Sequence, residues 1–272
     1  MRRLTSQTAW YWVALLWLAN ATTVRAAEPI ELSFGVTPQH SPTEQARLWV
    51  PICQYLSKRT GYQIQFKTSK GLTTYWKEAD AGAFDLLYIN PYYFVKAHKA
   101  AGYSVLAKDG ATPLVGIIVA RRDGPSDIRA LHGAKIATHD VSSFMTAYAR
   151  HGYLGPQGIQ IEPVGVGNLD SVFLTVDKGL YPAGISIQRA FGSLSPAMQA
   201  RFKVLWKSDP LPPFAYAVHP RIAPQVAEVL RQALLGMHDD AEGRALLATV
   251  NVKGIVAAKD SDFDSMRKLK LD

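Results

Sequence analysis

Two short stretches of this chain place hydrogen-bonding and aromatic side chains where a small molecule could be held. Asn90-Pro91-Tyr92-Tyr93 follows an apolar run, Phe84 to Ile89, that reads as a strand buried on both faces of a parallel sheet. Asn is a favoured N-cap and Pro suits the first helical position, so the strand turns directly into a helix. Ligands in open α/β sheets settle beyond the carboxyl ends of the strands, where helix N-termini present free N–H groups. Asn90, Tyr92 and Tyr93 stand at such an end, and Tyr75 lies near the start of the preceding helix. Simple coverage of the sheet end is the other role open to these tyrosines. Ser142 and Ser143 open a later helix and offer hydroxyls beside Phe144; the same serines also suit capping.

Other chemistries find little support. The seven histidines show no metal-ligand spacing, and no Gly-x-Ser-x-Gly elbow is present, so no catalytic residue, metal or cofactor is expected. Cys53 is the single cysteine, on an apolar helix face, and reads as a buried, inert thiol.

The elements that must position these groups alternate. Strands at Ile30 to Val36, Tyr62 to Thr68, Phe84 to Ile89 and Tyr103 to Lys108 are separated by helices, the first opened by the capping box Ser41-Pro42-Thr43-Glu44 and stopped by Gly61. Such alternation implies a mostly parallel sheet with helices on its faces. A second unit follows the apolar strand Leu114 to Arg121, with strands at Ala134 to Thr138, Ile159 to Val164, Ala183 to Ile187 and Phe202 to Lys207. Helices start at Ser142-Ser143, running to about Tyr153, and at Asn168. After Asp209-Pro210-Leu211-Pro212-Pro213 comes a strand, Phe214 to Val218, and then a pattern read as helical to the end. Leu114 to Arg121 and Phe214 to Val218 are expected to be hinge strands. The division is then 28–112 plus 215–272 for one lobe and 114–212 for the other, a clamp able to close on a ligand.

Hydrophobic content of 48% and charged content of 19% are those of a globular chain. Arg2 and Arg3 precede an apolar run, Ala9 to Ala19, and Val24-Arg25-Ala26 forms a small-residue cleavage site, so residues 1–26 are expected to be a signal peptide. The run is shorter than the ~20 residues of a membrane span. Cleavage removes Arg2, Arg3 and Arg25 and no acid, which takes the formal net charge from +8 to +5. Lys and Arg are scattered, and no nucleic-acid partner is expected.

Trp49-Val50-Pro51, the Gly82 to Pro91 segment with Asp85, and the Ile128 to Ala137 segment with Leu131, Gly133 and Ile136 together resemble the phosphate/phosphite/phosphonate-binding family of periplasmic solute-binding proteins. The resemblance implies an α/β, two-lobed fold with two mixed sheets, flanking helices and a two-strand hinge. It also implies capture of a small solute, an oxyanion or organic anion among the candidates, for the permease of an ABC transporter. A membrane sensor as partner is the alternative, and an enzyme a third. Relatives carry Ser-Thr-Ser-Gly where this chain has Ser142-Ser143-Phe144-Met145. Their following helix opens with a His that aligns with Leu169, and an Asp aligns with Pro182. On that alignment Phe144, Met145 and Leu169 face the cleft, and a less polar or aromatic ligand is as well supported as an anion.

Overall fold

The computed structural model describes residues 30–269 and 271, so the leader expected over 1–26 lies outside the described residues. Residues Glu31–Asp272 form one compact unit built on two mixed sheets. The first begins with the alternation read from the sequence: β1 (Glu31–Val36), α1 (Pro42–Thr60), β2 (Gln63–Lys67), α2 (Leu72–Asp80), β3 (Leu86–Ile89), α3 (Pro91–Ala101) and β4 (Ser104–Asp109). The second contains β5 (Gly116–Arg121), β6 (Lys135–Thr138), α4 (Phe144–Ala147), β7 (Glu162–Gly165), α5 (Leu169–Asp177), β8 (Ala183–Ile187), α6 (Gln188–Gly192), α7 (Pro196–Gln199) and β9 (Phe202–Lys207). The chain then returns to the first sheet through β10 (Ala215–Val218), α8 (Pro224–Leu235), α9 (Ala241–Thr249), β11 (Ile255–Ala257) and α10 (Asp264–Arg267).

Strand order is β11-β4-β10-β3-β1-β2 in the first sheet and β7-β6-β8-β5-β9 in the second. β1 runs parallel to β2 and β3, while β10 is antiparallel to both β3 and β4. In the second sheet β6 is parallel to β7 and β8, and β5 is antiparallel to β8 and β9. Both expected hinge strands therefore lie inside sheets. β5 and β10 are apolar because neighbours cover both of their edges and faces, which a sequence pattern cannot distinguish from a buried connection. The chain crosses between sheets just outside them, over residues 110–115 and 208–214. There Leu114 and Leu211 exchange two backbone hydrogen bonds of 3.1 and 2.9 Å.

Local signals hold at several junctions. Ser41 caps α1 by accepting the Glu44 N–H, and Gly61 ends it in the left-handed region at φ 76°. Asn90 caps α3, its Oδ1 accepting the Tyr93 N–H at 3.0 Å, with Pro91 in the first turn. Asp85 is a clasp: it accepts from the Ser33 N–H (2.8 Å) and hydroxyl (2.7 Å) and from Arg221 Nε (2.6 Å). Cys53 is buried and its thiol is pushed up to about 12 by that burial, in keeping with a packing role.

Two stretches differ from expectation. Ile255–Ala257 is a strand, antiparallel to β4 at the sheet edge, not part of a helical tail. Three residues are too few to show a period of two, and pairing to β4 decides their state. The helix expected from Ser143 to Tyr153 is α-helical for one turn only and widens to a π-turn over Tyr148–Leu154.

Asn90→Ala should cost about 1 kcal/mol of stability by freeing the Tyr93 N–H, and Asn90→Asp should cost much less because it still caps. Urea unfolding of the two variants measures the difference.

Candidate functional site

The carboxyl ends of β1, β2, β3, β6, β7 and β8 lead into loops that meet between the two sheets. The contacts are numerous and specific. From α3, Tyr92 stacks on Phe144 of α4 with centroids 5.1 Å apart and planes 15° apart. Tyr93 donates its hydroxyl to the Ser142 carbonyl at 2.8 Å and stacks on Trp76 at 3.7 Å. Thr73 Oγ1 lies 3.2 Å from Ser142 Oγ. The Leu169 N–H donates to the Gln39 carbonyl at 3.0 Å, and His40 Nδ1 lies 3.1 Å from Asp170 Oδ2.

Of the residues singled out in the sequence, Tyr92, Tyr93, Ser142, Phe144 and Leu169 come together at this junction. Tyr75 does not. It is fully buried inside the first half, its hydroxyl 3.2 Å from the Gly35 and Tyr88 carbonyls and its ring stacked on Phe84. The first turn of α2 points this side chain under the sheet end instead of over it, a matter of helix phase that spacing alone leaves open. Asn90 and Ser143 are caps, with Ser143 Oγ accepting the Thr146 N–H at 3.1 Å. Met145, expected to face the cleft, packs into its own sheet: a Cβ added to Gly116 would come within 2.1 Å of its sulfur. Pro182 is exposed and sits before β8, about five residues or ~15 Å from the strand end that meets the first sheet. The side chain at position 182 therefore does not reach this junction.

The Ser142 loop is occupied by the chain's own carboxylate. Asp140 Oδ1 accepts both the Ser142 N–H (2.8 Å) and the Ser142 hydroxyl (2.7 Å). His139 beside it is pushed down to about 4 by desolvation and is neutral at pH 7. Both residues line a cavity of about 170 Å³ with Pro38, Thr68, Gly71 and Asn168. A second, larger cavity of about 480 Å³ lies on the other flank, walled by Gln39, Trp49, Tyr88, Leu169 and Arg189 among others. A more open one of about 830 Å³ lies beside the crossing segment 111–113, between α9 and the Gln188-Arg189 turn.

Arg189 and Asp109 were not singled out by sequence reasoning. Arg189, at the start of α6, donates from Nη1 to Tyr88 Oη (2.8 Å) and Asp109 Oδ2 (2.9 Å), and its guanidinium carbon lies 4.9 Å from the centre of the Phe214 ring. Tyr88 also donates to Asp109 at 2.7 Å. The only signal in the sequence is position, since each charged residue closes or directly follows an apolar strand at its carboxyl end. The Arg189 side chain is 14% exposed and that of Asp109 0%, so this is a buried pair bridging the sheets. Burial pushes the Asp109 carboxyl up to about 6, against the pull of Arg189 and Tyr88.

A raised carboxyl binds its proton in the native state before the unfolded one does. Its contribution to stability therefore grows as pH falls from about 6 toward 4, and is lost as pH rises back through that range. Asp109→Asn should remove this dependence. On going from pH 7 to pH 4, the wild type should gain about 2 kcal/mol relative to the variant, read as the difference between their unfolding free energies. A difference that is flat with pH would show that Asp109 titrates normally. Tyr93→Phe, which loses the hydroxyl bond to the Ser142 carbonyl, should cost about 1 kcal/mol of stability in the same assay.

Three solved structures share this architecture. A binding protein component of an ABC phosphonate transporter from Pseudomonas aeruginosa matches with a TM-score of 0.78 at 16% identity, covering 88% of this chain and 85% of that one. PhnD1 from Prochlorococcus marinus, in complex with methylphosphonate, gives 0.77 at 13% identity, covering 88% and 97%. A Xanthomonas citri protein bound to ATP gives 0.70 at 16%, covering 88% and 94%. At these identities the likeness establishes the fold. The family model described as ABC transporter, phosphonate, periplasmic substrate-binding protein matches residues 34–263. That match spans most of the chain, and the chain belongs to the periplasmic substrate-binding proteins of phosphonate-type ABC transporters.

Proposed function

We propose that this member of the family captures a small solute by closing two lobes, 28–112 plus 215–272 and 114–212, and hands it to a membrane permease after export and removal of residues 1–26. The loops at the strand ends of the two sheets form the binding face. Tyr92, Tyr93, Ser142, Phe144 and Leu169 are the residues assigned to it. Closure is supported by the paired segments at Leu114 and Leu211, two short connections about which small backbone changes can rotate one sheet against the other. A sensor in place of the permease would use the same closing surface.

The solute is proposed to be less charged than the methylphosphonate held by the Prochlorococcus marinus relative. One observation carries this reading: the Asp140 carboxylate already takes the Ser142 N–H and hydroxyl, while Phe144 is stacked on Tyr92. A phosphonate brought to that loop would meet a like charge and an aromatic ring. Each unsatisfied buried oxygen costs ~1–3 kcal/mol. Two lost bonds at about 1.4 kcal/mol each weaken affinity roughly a hundredfold.

Calorimetry with phosphate, phosphite and methylphosphonate should therefore give weak binding or none. Sub-micromolar affinity for any of them would overturn the assignment of solute class. Mass spectrometry of solutes that co-purify under non-denaturing conditions identifies the natural one, and small-angle scattering should then show the protein compacting as that solute is added. An unchanged scattering profile at saturation would refute the clamp. Tyr92→Ala should lower affinity for that solute more than it lowers the melting temperature.

A further inference from the structure

Arg189 borders both the 480 Å³ cavity at the junction and the larger one beside the crossing segments. A guanidinium carries five N–H donors in a planar fork. Nη1 uses two, on Tyr88 and Asp109, and Nη2 gives one to Gln39 Oε1 at 3.4 Å. The Nε–H and the second Nη2–H have no acceptor among the described residues. Nε and Nη2 share one edge of the group, the geometry that receives both oxygens of a carboxylate. Donors of a largely buried cation that lack partners are costly, so the edge favours an acceptor that reaches it through the cavity.

Charge narrows the class of that acceptor. Asp109 lies behind the guanidinium and cancels its net charge, with Tyr88 donating to the same carboxylate. The other ionisable groups on the cavity wall add no excess of positive charge: Arg47 pairs with Glu44, and Asp170 Oδ2 lies 3.1 Å from His40 Nδ1. An entering anion thus finds donors but no net positive field. One negative charge satisfied by two charge-assisted bonds suits this place; a second must be desolvated without compensation. Trp49, Leu169 and Ile187 offer the body of the solute apolar contact on the same wall.

We propose that the Nε/Nη2 edge of Arg189 is the anion-recognising group of the interlobe cavity, and that the solute it selects is a small monocarboxylate. This rests on the solute-capture reading given above and moves the recognition group from the Ser142 loop to the end of β8. The cavity volume of about 480 Å³ lies within the ~300–1,000 Å³ range of small-molecule sites.

The Arg189 Nε–H resonance of the 15N-labelled protein, assigned by its loss in Arg189→Lys, reports on the edge directly. Benzoate and butyrate serve as monocarboxylate probes, with methylphosphonate and inorganic phosphate as dianion probes. A saturable shift of this resonance by at least one monocarboxylate is expected, at an affinity tenfold or more above that of either dianion. Asp109→Asn gives the guanidinium back its net charge and should narrow that ratio. The double variant Arg189→Met/Asp109→Asn removes both partners together, so that no buried carboxylate is left unpaired; folded by circular dichroism, it should lose monocarboxylate binding. An Arg189 Nε–H that neither carboxylate moves, or that methylphosphonate moves as readily, overturns the proposal. If the co-purified solute compacts the protein while this resonance stays still, solute capture stands and the role of Arg189 falls.

Discussion

Asp109 has no exposed side-chain surface, and its principal cationic partner, Arg189, belongs to the other sheet. Two opposite charges taken out of water repay their desolvation only when hydrogen bonds complete the geometry. Tyr88 supplies one, donating to Asp109 while accepting from Arg189, and the face of Phe214 covers the guanidinium. The arrangement gathers groups from β3, β4, the second crossing segment and α6. Any movement of one sheet away from the other has to separate them, which makes the pair the point through which the two halves sense each other's position.

Around that pair the junction is unusually self-satisfied for a family whose role is to hold a solute. The Ser142 loop carries an internal carboxylate, Tyr92 and Phe144 supply each other's stacking partner, and the Leu169 N–H is bonded to the Gln39 carbonyl. A single cluster of buried apolar residues includes members of both sheets. Among the described residues Thr68 Oγ1, Trp76 Nε1 and Asp109 Oδ1 are buried without a partner, and the Arg189 edge borders an open cavity. A carboxylate on the Ser142 N–H and hydroxyl, with a stacked aromatic pair beside it, leaves that loop poorly suited to a second anion.

The large features of this molecule were legible because they depend on neighbours in sequence. Ser41 with Glu44, Gly61, and Asn90 with Pro91 mark helix ends through hydrogen bonds and backbone angles that span a few residues. The alternation of strands and helices implied parallel pairing, and the run Ala183 to Ile187 was read with its observed bounds. The position of Tyr92 and Phe144 at strand and helix ends was likewise enough to bring them to the junction.

Tertiary structure alone decided the rest. Whether Tyr75 faces the solute or the core is a question of helix phase against a particular sheet, and Met145 turned inward because Gly116 leaves room for its sulfur. The strand Ile255–Ala257 exists because the edge of β4 is free to pair with it. Leu114 to Arg121 and Phe214 to Val218 read as connections, yet burial on all sides makes most of each an interior strand. Arg189 and Asp109, 80 residues apart, acquire their meaning only when two sheets bring them within 2.9 Å. The sequence by itself determined where the capped helices start and where glycine stops them, since those signals are local. Which side chains face one another across the cleft was decided by packing, where a rotation of one helix or a shift of one register exchanges core for site.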